Sequence, residues 1–347
     1  MFDPSELAEP IVQAPLAGGP STPALAIAVC QAGGLGFLAA GYKQPDPLRD
    51  EIEQVRSATD GPFGVNLFVP AERPADPERV RAYLEQLLPE AARQGAELGE
   101  PRFDDDGWEQ KLDIVRDMRP AIVSFTFGCP PAEVMDSLHE HDIAAWVTVT
   151  TDEEADHAAQ AGADALVVQG IEAGGHRGGF ADCDGTDGWG LLALLRVISA
   201  TVDRPLIAAG GIADGAGVAA VLCAGASAAQ IGTALMLSPE AATTDAQREL
   251  LAQPIPTRLT RAFTGRTARG LVNRFLDEHS AAAPPAYPEI HYATSPLRAA
   301  ARRRGDADAF NLWAGQAHAL ARELPAGEIV RRLGADARSI IRRLAQA

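Results

Sequence analysis

Eight short apolar runs, each followed by a helical pattern, are the feature that most constrains what this 347-residue chain can become. They fall at 11–16, 35–39, 63–69, 121–127, 144–150, 165–169, 205–209 and 228–231. Runs apolar almost throughout read as strands buried on both faces, which is the pattern of a parallel sheet covered by helices. Helix signals lie between them. Ser21-Thr22-Pro23 opens a helix with Pro where its missing N–H costs nothing, and Thr151-Asp152-Glu153-Glu154 opens another with carboxylates at the positive end of the dipole. Gly33-Gly34, Gly162 and Gly225 sit where helices stop. A count of eight favours a closed (β/α)8 barrel, the TIM barrel of the α/β class, over an open doubly wound sheet. No Gly-x-Gly-x-x-Gly follows the first run, so the usual dinucleotide fingerprint is missing.

Two regions break the repeat. Segment 70–119 is too long for one connection and holds two helical stretches around the acidic turn Asp104-Asp105-Asp106-Gly107. The long segment after the eighth run is rich in Arg and Ala and is broken by Pro284-Pro285. The expected layout is a barrel over 1–69 and 120–237. A smaller, mainly helical lid or second domain would come from 70–119 and 238–347.

A formal charge of −17 argues against nucleic acid or an anionic membrane as partner, while a small anionic substrate stays possible through local fields. Cys30, Cys129, Cys183 and Cys223 are scattered without metal spacing, so no metal site is expected. The first residues lack the basic and apolar stretches of a signal peptide, and no apolar run is long enough to span a bilayer. A cytoplasmic enzyme, monomer or homodimer, is the expectation.

Barrel chemistry sits on the loops that follow the strands. The sixth run delivers Gln169 and then Gly174-Gly175-His176-Arg177-Gly178, one imidazole among glycines that let backbone approach a ligand closely. Gly210-Gly211 and Gln230-Ile231-Gly232-Thr233 follow the seventh and eighth runs, where backbone N–H groups of this fold cradle phosphate. Asn66 and Gln169 can serve a heteroaromatic ring edge, though amides that satisfy backbone are equally common. With the loop Gln13-Ala14-Pro15-Leu16, these features suggest FMN across the barrel mouth, supplying the redox chemistry while the protein orients it. Tyr287, His291 and Tyr292 are candidates for a substrate wall, and Arg177 reads more readily as a brace for its own loop than as a contact to an anion. Cys183 lacks a neighbouring base that would make it a nucleophile. Arg302-Arg303-Arg304 reads as a solvated helix face.

These same residues resemble a known family. Gln13-Ala-Pro-Leu-Ala-Gly-Gly19, Ala32-Gly-Gly-Leu-Gly-Phe37, Pro62-Phe-Gly-Val-Asn-Leu-Phe68 and Glu172-Ala-Gly-Gly-His-Arg-Gly178 are similar to segments of nitronate monooxygenase, formerly 2-nitropropane dioxygenase. So are Ala209-Gly-Gly-Ile212, Gln230-Ile-Gly-Thr233, Ala262-Phe-Thr-Gly-Arg-Thr-Ala-Arg-Gly270 and Leu312-Trp-Ala-Gly-Gln316. The resemblance implies FMN held non-covalently and oxidation of alkyl nitronates, such as propionate 3-nitronate, by O2 to a carbonyl compound and nitrite. It implies one-electron flavin chemistry with no nicotinamide reductant. Asn66, Gln169, Gly174, Gly211 and Gln230 to Thr233 match the family's FMN positions, and His176 matches its catalytic histidine. Leu16 departs from a methionine common there. His176 would take a proton from neutral nitroalkanes or anchor an ionised nitronate. An FMN-dependent enoyl-acyl-carrier-protein reductase or NADH:quinone reductase of the same fold is the rival. A flavin-free phosphate-binding lyase or isomerase is more remote.

Overall fold

A computed structural model describes residues 2–72, 74–182 and 188–346, so Cys183 lies outside the described residues. Its strands are β1 Ile11–Gln13, β2 Gly36–Ala39, β3 Phe63–Phe68, β4 Ile122–Thr126, β5 Ala144–Val149 and β6 Ala165–Gln169. They continue with β7 Gly175–His176, β8 Leu206–Ala209, β9 Ala228–Ile231, β10 Thr257–Thr260 and β11 Ala268–Leu271. Eight of them pair in parallel in the order β1-β9-β8-β6-β5-β4-β3-β2, and a parallel bridge between Val12 and Leu35 brings the two ends together. The sheet is the expected (β/α)8 barrel.

Side chains alternate across each strand, so every strand feeds two cores. Val12, Phe37, Trp146, Val167 and Ile207 fill the barrel interior. Ile11, Leu38, Val65, Val147 and Ala208 face outward and pack under the helices. Helix starts follow the sequence signals: Thr22 Oγ1 accepts from Leu25 N at 3.0 Å, and Thr151 Oγ1 accepts from Glu154 N at 3.1 Å. The first strand is shorter than its apolar run because Pro15 cannot donate to a ladder. The freed loop folds back instead, with Leu16 N donating to Ser21 Oγ at 2.8 Å.

Both helical stretches of 70–119 form. The helix Pro77–Gln94 packs on the helix Glu289–Arg304, and Val80, Tyr83 and Leu87 share a small core with Phe263, Phe275 and Ile290. The helix Trp108–Met118 instead lies against β3 and the helix Pro45–Ala58, with Leu112 and Val115 in the main core. The last helix, Ala326–Ala345, returns to the barrel wall against the helices Gly215–Cys223 and Pro23–Gln31. A second, three-stranded sheet in the order β10-β11-β7 stands over the barrel mouth. No helix among the described residues is long and apolar enough to cross a membrane.

Candidate active site

The loops after the parallel strands surround a cavity of about 540 Å3, within the range usual for cofactor and substrate sites. Loop 14–20, strand ends at Asn66 and Gln169, the His176 loop, and the turns after β8 and β9 form its floor. One face of the helix Glu289–Arg304 forms a wall: His291, Ser295, Arg298, Ala299 and Arg302 recur at the spacing of successive helical turns. No Asp, Glu or Lys lines it among the described residues.

His176 is held from three sides. As part of β7 it pairs with Ala268 of β11, so a barrel loop is clamped by the chain that covers the mouth. Its Nε2 lies 2.9 Å from Thr264 Oγ1, and Thr264 is only 1 % exposed. Phe127, Trp313 and Tyr287 surround the ring at centroid distances of 5.7, 5.5 and 5.9 Å. Phe127 itself is held at φ 78°, a left-handed conformation costly for a bulky residue, and the Arg266 guanidinium stacks over its ring at 4.1 Å. Burial, reinforced by the Arg266 and Arg298 guanidinium groups, pushes the His176 pKa down to about 3 against a weaker pull from Asp182. The imidazole is therefore neutral across the physiological range.

Most residues singled out from the sequence converge on this cavity: Ala14, Pro15, Leu16, Asn66, Gln169, Gly174, Gly175, His176, Gly210, Gly211, Gln230, Gly232 and Thr233 all line it. Their local roles differ. Gln169 braces the histidine loop, donating to His176 O at 3.1 Å and accepting from Gly178 N at 2.9 Å. Arg177 does the same, donating to Gly170 O at 2.8 Å. Asn66 donates through Nδ2 to Ser124 O, Ser124 Oγ and Thr126 Oγ1, which leaves its carbonyl arm pointing the other way. Gly174 is obligatory for a packing reason, because a Cβ there would stand 2.4 Å from Gly315 N. Gly210 and Gly211 turn at φ 118° and 68°, where side chains are strained. Thr233 Oγ1 accepts from Gly315 N at 3.0 Å, tying the β9 turn to the segment after Trp313.

Four expected residues stay out of the wall. Gln13 is fully buried and spends its amide on β2, donating to Phe37 O at 2.9 Å and accepting from Phe37 N at 3.2 Å. Ile231 faces the outer core, since its neighbour Gln230 takes the inward position. Tyr292 points away from the cavity and carries Arg102 on its ring at 4.0 Å. Tyr287 reaches the site indirectly, packing on His176 and bonding Tyr42 Oη at 3.2 Å.

Sequence reasoning missed much of the cover. Tyr42 stacks on His291 at 4.0 Å and is set by the acidic turn: Asp106 Oδ1 accepts from Tyr42 N at 2.9 Å, while its Oδ2 pairs with Lys111 Nζ at 2.7 Å. Trp313, Thr264, Thr243 and Arg298 also border the cavity. Arg302, expected on a solvated face, lines it too, while Arg303 and Arg304 are exposed. One signal was available: the 291, 295, 298, 302 spacing is a helical stripe.

A barrel with a neutral, caged histidine beside a glycine-lined cavity at the carboxyl ends of its strands defines a cofactor-type barrel enzyme. The nitronate monooxygenase family profile matches residues 4–336. A nitronate monooxygenase from Pseudomonas aeruginosa is 46% identical over 342 residues, covering 94% of this chain and 95% of that protein. A nitroalkane oxidase structure from Streptomyces ansochromogenes superposes with a TM-score of 0.95 at 49% identity, covering 98% and 99% of the two chains. FabK from Thermotoga maritima is more distant, with a TM-score of 0.76 at 28% identity and coverage of 98% and 96%. The chain belongs to the nitronate monooxygenase family and is an oxidoreductase that acts on nitronates.

Proposed function

We propose that the cavity holds FMN and that the enzyme uses O2 to oxidise alkyl nitronates to a carbonyl compound and nitrite. The observation that carries this reading is a cavity whose formal charges are all positive, beside an imidazole that is neutral, in a chain of net charge −17. Such a cavity favours anions, and a nitronate is an anion at its reacting carbon.

The residues present fit FMN. The turns at Gly210-Gly211 and Gly232-Thr233 offer backbone N–H groups for its phosphate. The Asn66 carbonyl arm and the small residues Ala14 and Pro15 suit the edge and face of a flat ring. Thr243 Oγ1 borders the cavity, buried and without a partner, as expected of a group waiting for a ligand. FMN would supply the electron transfer between nitronate and O2. The barrel of 1–69 and 120–237 would carry it, and parts of 70–119 and 238–347 would cover the substrate side.

His176 then hydrogen-bonds the bound nitronate and orients it, with Thr264 fixing the ring. A group with a pKa near 3 keeps an abstracted proton poorly, so ionised nitronates are favoured over neutral nitroalkanes as substrates. Phe127, Trp313 and Tyr287 keep water from the reacting carbon. The test is the cofactor and its reductant. Heat-released cofactor should co-migrate with FMN, and anaerobic ethylnitronate should bleach the bound flavin while NADH and NADPH leave it oxidised. Fast bleaching by a nicotinamide would replace this reading with a reductase.

A further inference from the structure

A second cavity, of about 480 Å3, is formed by the helix Pro77–Gln94, the segment after it and the start of the helix Glu289–Arg304. It shares no lining residue with the first, and its size suits a small organic ligand. Val80, Leu84 and Leu88 line it as one stripe of the helix, and Leu98, Pro101 and Phe103 form the facing wall. Leu88 and Phe103 are 57 % and 42 % exposed, so large apolar side chains are left to water here. Among the described residues Glu289 is the one buried polar side chain of this lining, at 6 % exposed. Its Oε1 accepts from Ala75 N at 2.8 Å, which fixes the carboxyl group, while its Oε2 is buried and has no partner. The other buried carboxylate, Glu90, has both Arg274 and Arg93. Glu289 is the first residue of its helix, where the dipole favours negative charge, yet the dipole supplies no hydrogen to Oε2.

A buried carboxylate oxygen left unmatched costs free energy that a donor recovers. An ionised carboxylate only accepts, so the missing group is a donor, and a cationic donor bonds most strongly. The −17 charge of the chain favours a cation, and the other charged liners, Arg81 and Glu85, are exposed and of opposite sign. One oxygen in an apolar wall is too few for a metal ion. We propose that this cavity binds a small organic ammonium compound, whose N–H donates to Glu289 Oε2 and whose apolar body lies along Leu84, Leu88 and Phe103. The site is separate from nitronate oxidation and does not depend on that reading. Glu289 opens the helix that also carries His291 and Arg298, so the occupant bears on an element of the active-site wall without entering it.

The experiment titrates the purified protein calorimetrically with octylammonium, octanol and octanoate, which share an apolar chain and differ in head group. Wild type should bind octylammonium about tenfold tighter than octanol, the scale of one charged hydrogen bond, and octanoate most weakly. Glu289→Gln keeps an oxygen for Ala75 N and turns an amide N–H to the cavity. It should erase the difference between octylammonium and octanol while the far-UV dichroism stays unchanged. Leu84→Trp fills the cavity and should abolish binding of both with Glu289 intact. Equal binding of octylammonium and octanol to wild type, or no binding of either, overturns the proposal, as does octylammonium binding untouched by the substitutions. If Glu289→Gln does not fold, Leu84→Trp decides alone, and retained octylammonium binding in it overturns the site. A dimer in sedimentation that Phe103→Ser dissociates and that excludes octylammonium assigns the groove to a second copy of the chain and also overturns it.

Discussion

A histidine held at a pKa near 3 must leave a mark on stability. In the unfolded chain its value is 6.5, so below that pH the unfolded state binds a proton that the folded state refuses. Stability from this source is intact above pH 6.5 and is lost as pH falls towards 3. The slope is about 1.4 kcal/mol per pH unit for one proton, or about 2 kcal/mol between pH 8 and pH 5. His176 borders the cavity, where water screens part of the effect, so about 1–2 kcal/mol is expected. The assay is urea unfolding of wild type and His176→Gln from pH 5 to 8 at equal FMN loading. Carboxylates are present in both proteins, and so is His291, which is pushed down by burial and Arg298 more than by His176, so these largely cancel in the difference. That difference should move against wild type as pH falls. A difference independent of pH would show that His176 titrates normally and would remove the basis for calling it neutral.

Four other outcomes follow from the same geometry. His176→Asn should purify yellow, with kcat/KM on ethylnitronate lowered by roughly 10²-fold, the scale of one lost donor at developing charge. Neutral nitroethane should be a poor substrate even for wild type, and rapid turnover of it would make His176 a base. Thr264→Val keeps the shape but strands His176 Nε2, so it should cost about 1–3 kcal/mol in urea melts and lower kcat on ethylnitronate more than it raises KM. A wild-type kcat in this variant would relegate the hydroxyl to packing. Lys111→Met removes the counter-charge of the half-buried Asp106 beside Tyr42 and should destabilise the fold by about 1.5–3 kcal/mol; a change under ~1 kcal/mol would mean the pair is solvated.

The barrel was legible because each strand is apolar on both faces, and that signal survives without neighbours. The loop residues were legible because glycines and one histidine follow strands, a local pattern. What the sequence hid is set by tertiary choice. Gln13 and Asn66 are both strand amides, yet one bonds the adjacent β2 backbone and the other borders the cavity. Gln230 and Ile231 are neighbours, and alternation along β9 sends only the first inward. The covering wall draws on Tyr42, Arg298 and Trp313, which lie far apart in the chain and meet only in the folded protein. Arg302 was misread because three consecutive arginines look like a solvated run, while the helix turns just one of them to the cavity.

The most direct measurement is oxygen uptake by the FMN-loaded protein on adding propionate 3-nitronate, with no NAD(P)H present. Rapid uptake with nitrite release is the predicted result. An FMN-loaded sample that consumes no oxygen with any nitronate, yet is reduced at once by NADH, would contradict the account.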